Sequence, residues 1–230
     1  MLLARLILFA AAPSLFWLWL FYRRDRWEPE PKSLVIRVFL AGGLVAGLAL
    51  LLQRALPGPH DPLYDFFVRV ALVEEFCKLL PVLVVARHSR HLNEPMDGIL
   101  YAVASALGFA TVENVLYALW LGPAILVARA FTSTLAHVAL SGLVGYQIGR
   151  WKTGGGAGKV WFAFFTVVGL HGAYDLLLVA GAGQVTSPTV ARLTVLLMIP
   201  ALLGMLFFAI RLADRASPFR PKAKRGSEPL

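Results

Sequence analysis

Apolar residues run along this chain in long blocks instead of alternating with polar ones, and the blocks have the length needed to cross a bilayer. Reading for roughly 17 to 25 mainly apolar residues per span predicts seven helices, at about 2–22, 34–56, 66–86, 98–121, 123–149, 160–181 and 190–212. The pattern predicts an all-α, polytopic membrane helix bundle, with residues 1–217 as a single multi-pass domain. The stretch that follows, 218–230, is basic and proline-containing and is expected to be disordered. No internal repeat or soluble domain is visible, and one flexible glycine-rich patch falls at 154–158.

The first block could be read as a secretory signal, because Ala10, Ala11 and Ala12 resemble a small-residue cleavage site. Its leading segment carries only Arg5, however, and the apolar run continues to Tyr22 before the cluster Arg23, Arg24 and Arg26, so a retained first span is expected.

Composition agrees with a membrane setting: 58% of residues are hydrophobic and 15% charged, against roughly 25% charged in soluble globular proteins. The single cysteine, Cys77, excludes an intrachain disulfide. A net charge of +9 would suggest nucleic acid in a soluble protein, but here the basic residues sit in short loops and the tail. A lipid bilayer is therefore the expected partner and nucleic acid is not. The basic clusters are Arg23, Arg24, Arg26, Lys32 and Arg37, then Arg87 and Arg90, then Arg150, Lys152 and Lys159, and finally Arg211, Arg215, Arg220, Lys222, Lys224 and Arg225. The opposite side has Arg5, Arg54, Arg69, Arg129 and Arg192. An excess of cations marks the cytoplasmic side, so the N-terminus is expected outside and the C-terminus inside.

Polar residues interrupt four of these spans. Glu74, Glu75 and Lys78 lie in the third, Glu113 and Asn114 in the fourth, His137 in the fifth, and His171 and Asp175 in the sixth. Such groups cost a few kcal/mol at mid-membrane and persist mainly where they face a protein interior or a wet cavity. At about 1.5 Å per helical residue from each outer end, Glu74 and Glu75 lie roughly 12 to 14 Å deep, Glu113 roughly 12 Å, His171 roughly 15 Å and His137 roughly 21 Å. Four helices thus place acid, base or ligand groups in one layer. Lys78 can reach either glutamate, since residues three or four apart share a helix face, whereas Glu74 and Glu75 diverge by about 100°. His171 and Asp175, at i and i+4, suit either a carboxylate that orients a histidine or two ligands of one metal. Ala102, Ala106, Gly108, Ala110, Ser133, Ser141, Gly142, Gly145 and Gly149 offer small surfaces for close helix packing. His60, His88 and His91 fall in loops, and read as solvated interface residues.

Taken singly, each feature has a structural reading: a neutralised ion pair for Glu74, Glu75 and Lys78, an interhelical hydrogen bond for His137, a relay for His171 and Asp175, and a cap for Glu113 and Asn114. Together they point to chemistry. A proton-coupled transporter or channel would use the same residue types, but would favour inverted repeats and broken helices in corresponding halves, which the sequence does not display. A noncatalytic receptor or scaffold is the third class.

The strings Glu74-Glu75-Phe76-Cys77-Lys78, Gly108-Phe109 through Glu113-Asn114, His137 in the fifth span, and His171-Gly172-Ala173-Tyr174-Asp175 resemble, in order, the motif set of the PrsW-type intramembrane proteases. That family is similar in turn to the CAAX prenyl proteases and bacteriocin-processing membrane proteases, with Glu113 standing in place of a histidine in the second motif. The resemblance implies a catalytic core of about residues 66–181 in a multi-pass protease of the bacterial cytoplasmic membrane. It also implies cleavage of membrane-anchored proteins, typically an anti-sigma factor at its extracytoplasmic side. Peptide hydrolysis needs an activated water, an oxyanion stabiliser and a proton donor. Glu74 or Glu75 suits the base role, with Lys78 holding the other. His137 and His171 with Glu113 form a possible Zn²⁺ set. Alternatively the histidines act directly, one orienting water and one, with Asn114, stabilising the oxyanion.

Overall fold

The computed structural model describes residues 2–59, 61–180 and 188–221. His60, the end of the sixth predicted span at Gly181 and the tail residues 222–230 lie outside them. Among the described residues eight α-helices follow one another: α1 (Leu2–Tyr22), α2 (Lys32–Ala55), α3 (Val73–His88), α4 (Pro95–Leu121), α5 (Ile125–Phe131), α6 (Ser133–Lys152), α7 (Gly158–Ala180) and α8 (Pro188–Ala216). A π-helical stretch, Tyr64–Leu72, runs directly into α3. No strand occurs among the described residues, and the all-α bundle expected from the apolar blocks is what forms.

Among the described residues six helices are long and apolar enough to cross a membrane, one fewer than the seven spans predicted. The third predicted span is helical across residues 64–88, but its first nine residues are π-helical and its middle carries Glu74, Glu75 and Lys78, which lowers its apolarity below that of a lipid-facing helix. The protein interior supplies what lipid cannot, since all three side chains are buried. The fifth predicted span is also divided, at Thr132, where the backbone leaves helical geometry (φ −119°, ψ −86°) between α5 and α6.

Helix α4 is the axis of the bundle. Glu94 precedes it in extended conformation, Pro95 opens it, and the Asp97 carboxylate accepts the Glu94 amide at 2.7 Å, a start signal made of a fixed φ and a capped donor. Gly122, at φ +90°, ends it in a conformation that glycine adopts without penalty. The most apolar stretches of α4 and of the α5–α6 pair are 72% buried within the protein, against 22–33% for α1, α2, α7 and α8. The outer helices turn Leu, Phe and Trp side chains outward, as a lipid-facing layer requires.

Glycines set the helix spacing around α4. A Cβ at Gly108 would lie 1.8 Å from the Phe39 carbonyl oxygen, and one at Gly42 would lie 2.0 Å from that of Ser105, so α2 and α4 touch backbone to backbone. Gly98 and Gly145 do the same between α4 and α6, at 2.2 and 2.3 Å from each other's carbonyl oxygens. Gly108→Ala should therefore lower the unfolding midpoint in detergent by the equivalent of at least about 2 kcal/mol, whereas Gly47→Ala, with nothing within 4 Å of the new Cβ, should change it little. Equal midpoints for the two variants would refute the close packing.

The basic loops gather at one end of the bundle. Arg26 pairs with Asp214 of α8 at 3.1 Å, Trp27 Nε1 donates to the same carboxylate at 2.7 Å, and Lys152 Nζ donates to the Ala86 carbonyl at 2.6 Å. Glu113, eight residues from the far end of α4, lies about 12 Å from that opposite end.

Candidate active site

All eight residues singled out in the sequence join one connected network. The π-helical stretch delivers α3 with Glu74 and Glu75 in its first turn and Lys78 one turn later; π-helical turns recur at functional sites because they shift side-chain register locally. Lys78 Nζ is the hub. It donates to Glu75 Oε1 at 2.8 Å, Glu74 Oε2 at 3.3 Å and His137 Nδ1 at 2.8 Å, and lies 4.5 Å from the Phe109 ring centroid. An ammonium has three protons and no lone pair, so all three are used and His137 Nδ1 is the acceptor. The other ring nitrogen, Nε2, therefore carries the proton and donates to Glu113 Oε2 at 2.8 Å.

The two adjacent glutamates differ in surroundings. Glu75 is enclosed: its Oε1 receives Lys78 and His171 Nδ1, both at 2.8 Å, and its Oε2 receives the Ser141 hydroxyl at 3.5 Å. Glu74 is held more lightly, by Gln53 Nε2 at 3.2 Å and Lys78 at 3.3 Å, with His171 Nε2 at 3.9 Å. Glu74 and Glu113 also line a cavity of about 340 Å³ between α2, the π-helical stretch and α4, with Gln53, Val70, Phe109 and Tyr117, whereas Glu75 does not. Larger depressions, of about 570, 700 and 810 Å³, contain none of the network.

His171 stands between Glu75 on Nδ1 and Asp175 on Nε2, the latter 3.3 Å away, and its ring meets that of His137 edge-on with centroids 5.4 Å apart. Asn114 has both ends engaged: Nδ2 donates to the Thr134 hydroxyl at 3.0 Å, and Oδ1 accepts from Arg129 Nε at 2.6 Å.

Arg129 and Gln53 are the members that sequence reasoning missed. Arg129 was counted with the outer-side charges, yet it is buried, with Nη2 3.0 Å from Glu113 Oε2 and its guanidinium carbon 3.9 Å from the Tyr117 ring centroid. The signal was available, because Arg129 lies inside the predicted fifth span and an arginine there needs a partner. Gln53, beside Arg54 in the last turn of α2, gave no comparable sign.

The donor chemistry fits a divalent ion. One ligand atom from each of Glu74, His137 and His171 lies within 4.8 Å of the others, and all three residues are buried. Two imidazoles and a carboxylate are a recurring catalytic zinc set, and a carboxylate behind each ring, Glu113 for His137 and either Glu75 or Asp175 for His171, matches the outer partners that orient such ligands. The carboxylate in this cluster is Glu74. Glu113 stands behind His137, tied to it and to Arg129. Lys78 and Glu113 already occupy both nitrogens of His137, and Glu75 and Asp175 both nitrogens of His171, so an ion reaches either ring only by displacing one of its partners.

Residues 30–205 match the PrsW family intramembrane metalloprotease. The Protease PrsW of Geobacillus kaustophilus is 36% identical over 180 residues, covering 76% of this chain and 80% of that protein. The Protease PrsW of Clostridioides difficile is 33% identical over 191 residues, covering 75% and 79%. That of Bacillus subtilis is 28% identical over 211 residues, covering 89% and 92%. No solved structure matches. The matched region contains every member of the buried network, and the chain belongs to the PrsW family of intramembrane proteases, as a multi-pass protein of a bacterial membrane.

Proposed function

We propose that this protease hydrolyses a peptide bond of membrane-anchored proteins, an anti-sigma factor being the substrate class the family resemblance suggests, with Glu74 as the working carboxylate. The observation that carries the reading is the asymmetry of the pair: Glu74 faces the cavity while Glu75 is spent on Lys78 and His171. A carboxylate in a low-dielectric site that faces water can take a proton from it and later return the proton to the leaving amine. Lys78, 3.3 Å from Glu74, is the cation nearest the developing oxyanion. Glu75 and Asp175 fix the His171 ring, and Arg129, held by Asn114, keeps Glu113 on His137. A zinc ion held by Glu74, His137 and His171 would itself activate the water by Lewis acidity, with Glu74 then serving as a ligand in place of the base.

In this reading the basic end of the bundle is cytoplasmic, the N-terminus is outside, residues 1–217 form one domain with its catalytic core at about 66–181, and the cavity opens toward the extracytoplasmic half. Co-reconstitution in liposomes with a single-pass anti-sigma factor should yield a fragment cut near the extracytoplasmic side, read by mass spectrometry. Complete absence of products with any membrane-anchored substrate tested would overturn the substrate class. Metal analysis of the purified protein should find zinc, depleted in both His137→Ala and His171→Ala; unchanged metal in both variants would remove the ion from the site.

A further inference from the structure

A second buried carboxylate cluster lies at the opposite end of α4, remote from the catalytic network. Asp25 of the α1–α2 loop, Glu94 just before α4 and Asp97 in its first turn each bring one oxygen within 4.8 Å of the others, and they are 2%, 0% and 0% exposed. Their outward duties are few. Asp25 Oδ2 accepts the Glu30 amide at 2.9 Å, and Asp97 Oδ2 accepts the amides of Asn93 and Glu94 at 2.8 and 2.7 Å. Glu94 has only the Asp97 amide of the capping box and the Ser217 hydroxyl beside it, and Asp25 Oδ1 and Asp97 Oδ1 are buried without a hydrogen-bond partner. Among the described residues no ion pair reaches any of the three, since the neighbouring Arg26 is committed to Asp214.

Burial of a carboxylate without a partner is costly, and three in contact repel one another. Local donors do not resolve this. Glu30, also buried, takes its hydrogen bond from Tyr101. Burial, reinforced by neighbouring carboxylates, pushes Asp25 up to about 6 and Glu30 to about 7, and raises Glu94.

We propose that Asp25, Glu94 and Asp97 bind a hard divalent cation of the Ca²⁺ or Mg²⁺ class, which ties the α1–α2 loop to the start of α4. The donors are all carboxylate oxygens, the set that suits these ions and not the softer, imidazole-seeking zinc of the catalytic site. The ion would neutralise the crowded carboxylates and hold together the two segments that precede the helices carrying Gln53 and Glu113.

The test uses the full-length protein in detergent, stripped with EDTA and titrated separately with CaCl₂ and MgCl₂ at pH 7.5 while the unfolding midpoint is followed. Saturation by either ion should raise the midpoint by about 5 °C or more, and the rise should survive in His171→Ala. In Asp25→Asn and Glu94→Gln the rise should disappear, while the midpoint in EDTA stays at or above that of the wild type because one of three repelling charges is gone. Mn²⁺ added to the stripped wild type should show a bound electron paramagnetic resonance signal that the effective ion displaces, a readout independent of how well the variants fold. The proposal is overturned if neither ion moves the wild-type midpoint, or if the response is the same in both carboxamide variants. It is equally overturned if the midpoint rises only on acidification with no cation response, since carboxylates with raised pKa values stabilise the fold as they take up protons and would then be sharing protons alone.

Discussion

Glu74→Gln should lower the rate of substrate cleavage in liposomes by about 10³-fold while leaving the unfolding midpoint within a few degrees of the wild type. General acid–base catalysis by a positioned side chain contributes about 10²–10⁴, and the amide keeps the shape and the Gln53 contact but cannot accept a proton. Stability is little affected because Lys78 keeps Glu75 at 2.8 Å and Glu74 borders a cavity. Glu75→Gln should show the opposite balance. It removes the shared acceptor of Lys78 and His171 from an enclosed position, so stability falls first, by about 3–5 kcal/mol for a broken buried pair, and activity falls with the fold. The measurement is a pairing of initial rate with unfolding midpoint for both variants. Glu74→Gln retaining more than a tenth of the wild-type rate would remove Glu74 from the chemistry.

Much of this arrangement was legible in the sequence, for reasons that differ from element to element. Apolar run length located the lipid-facing helices well, because α1, α2, α7 and α8 must satisfy lipid on most of their surface. The small residues at Gly108, Gly142, Gly145 and Gly149 marked real close approaches, although Gly42 and Gly98, which make equally close ones, were not singled out. The eight site residues could be read because an ionisable group in an apolar run has few reasons to exist. Division of labour within the site was not legible. Which of Glu74 and Glu75 faces the cavity depends on helical register, and the π-helical stretch before α3 changes that register in a way no apolar pattern encodes. Arg129 escaped because a cation near a span end reads as a loop charge until the break at Thr132 turns α5 inward. The Asp25, Glu94 and Asp97 cluster joins positions about 70 residues apart, and only the docking of the α1–α2 loop on α4 brings them together.

Lys78→Met should destabilise the protein as much as Glu75→Gln, and its effect on metal should have the opposite sign. Among the described residues the ammonium is the only cation within bonding distance of both Glu74 and Glu75 apart from the His171 ring, and it is 2% exposed. A methionine of similar length fills the space but leaves two buried carboxylates and the Nδ1 lone pair of His137 without their shared donor. Removing one member of a buried ion pair costs about 3–5 kcal/mol, which for a chain of this size is about 10 °C in midpoint. The same substitution frees His137 Nδ1 and leaves a cluster with more uncompensated negative charge, both of which favour a divalent cation in the place the ammonium held. Zinc should therefore bind Lys78→Met more tightly than the wild type, and saturating zinc should raise the midpoint of the variant by more than it raises that of the wild type. The decisive comparison is a zinc titration of both stripped proteins, followed by calorimetry and thermal unfolding. A metal-free midpoint equal to that of the wild type would show that Lys78 does not hold the glutamates together. Zinc affinity unchanged or weaker in the variant would show that Lys78 and the ion do not compete for the same donors.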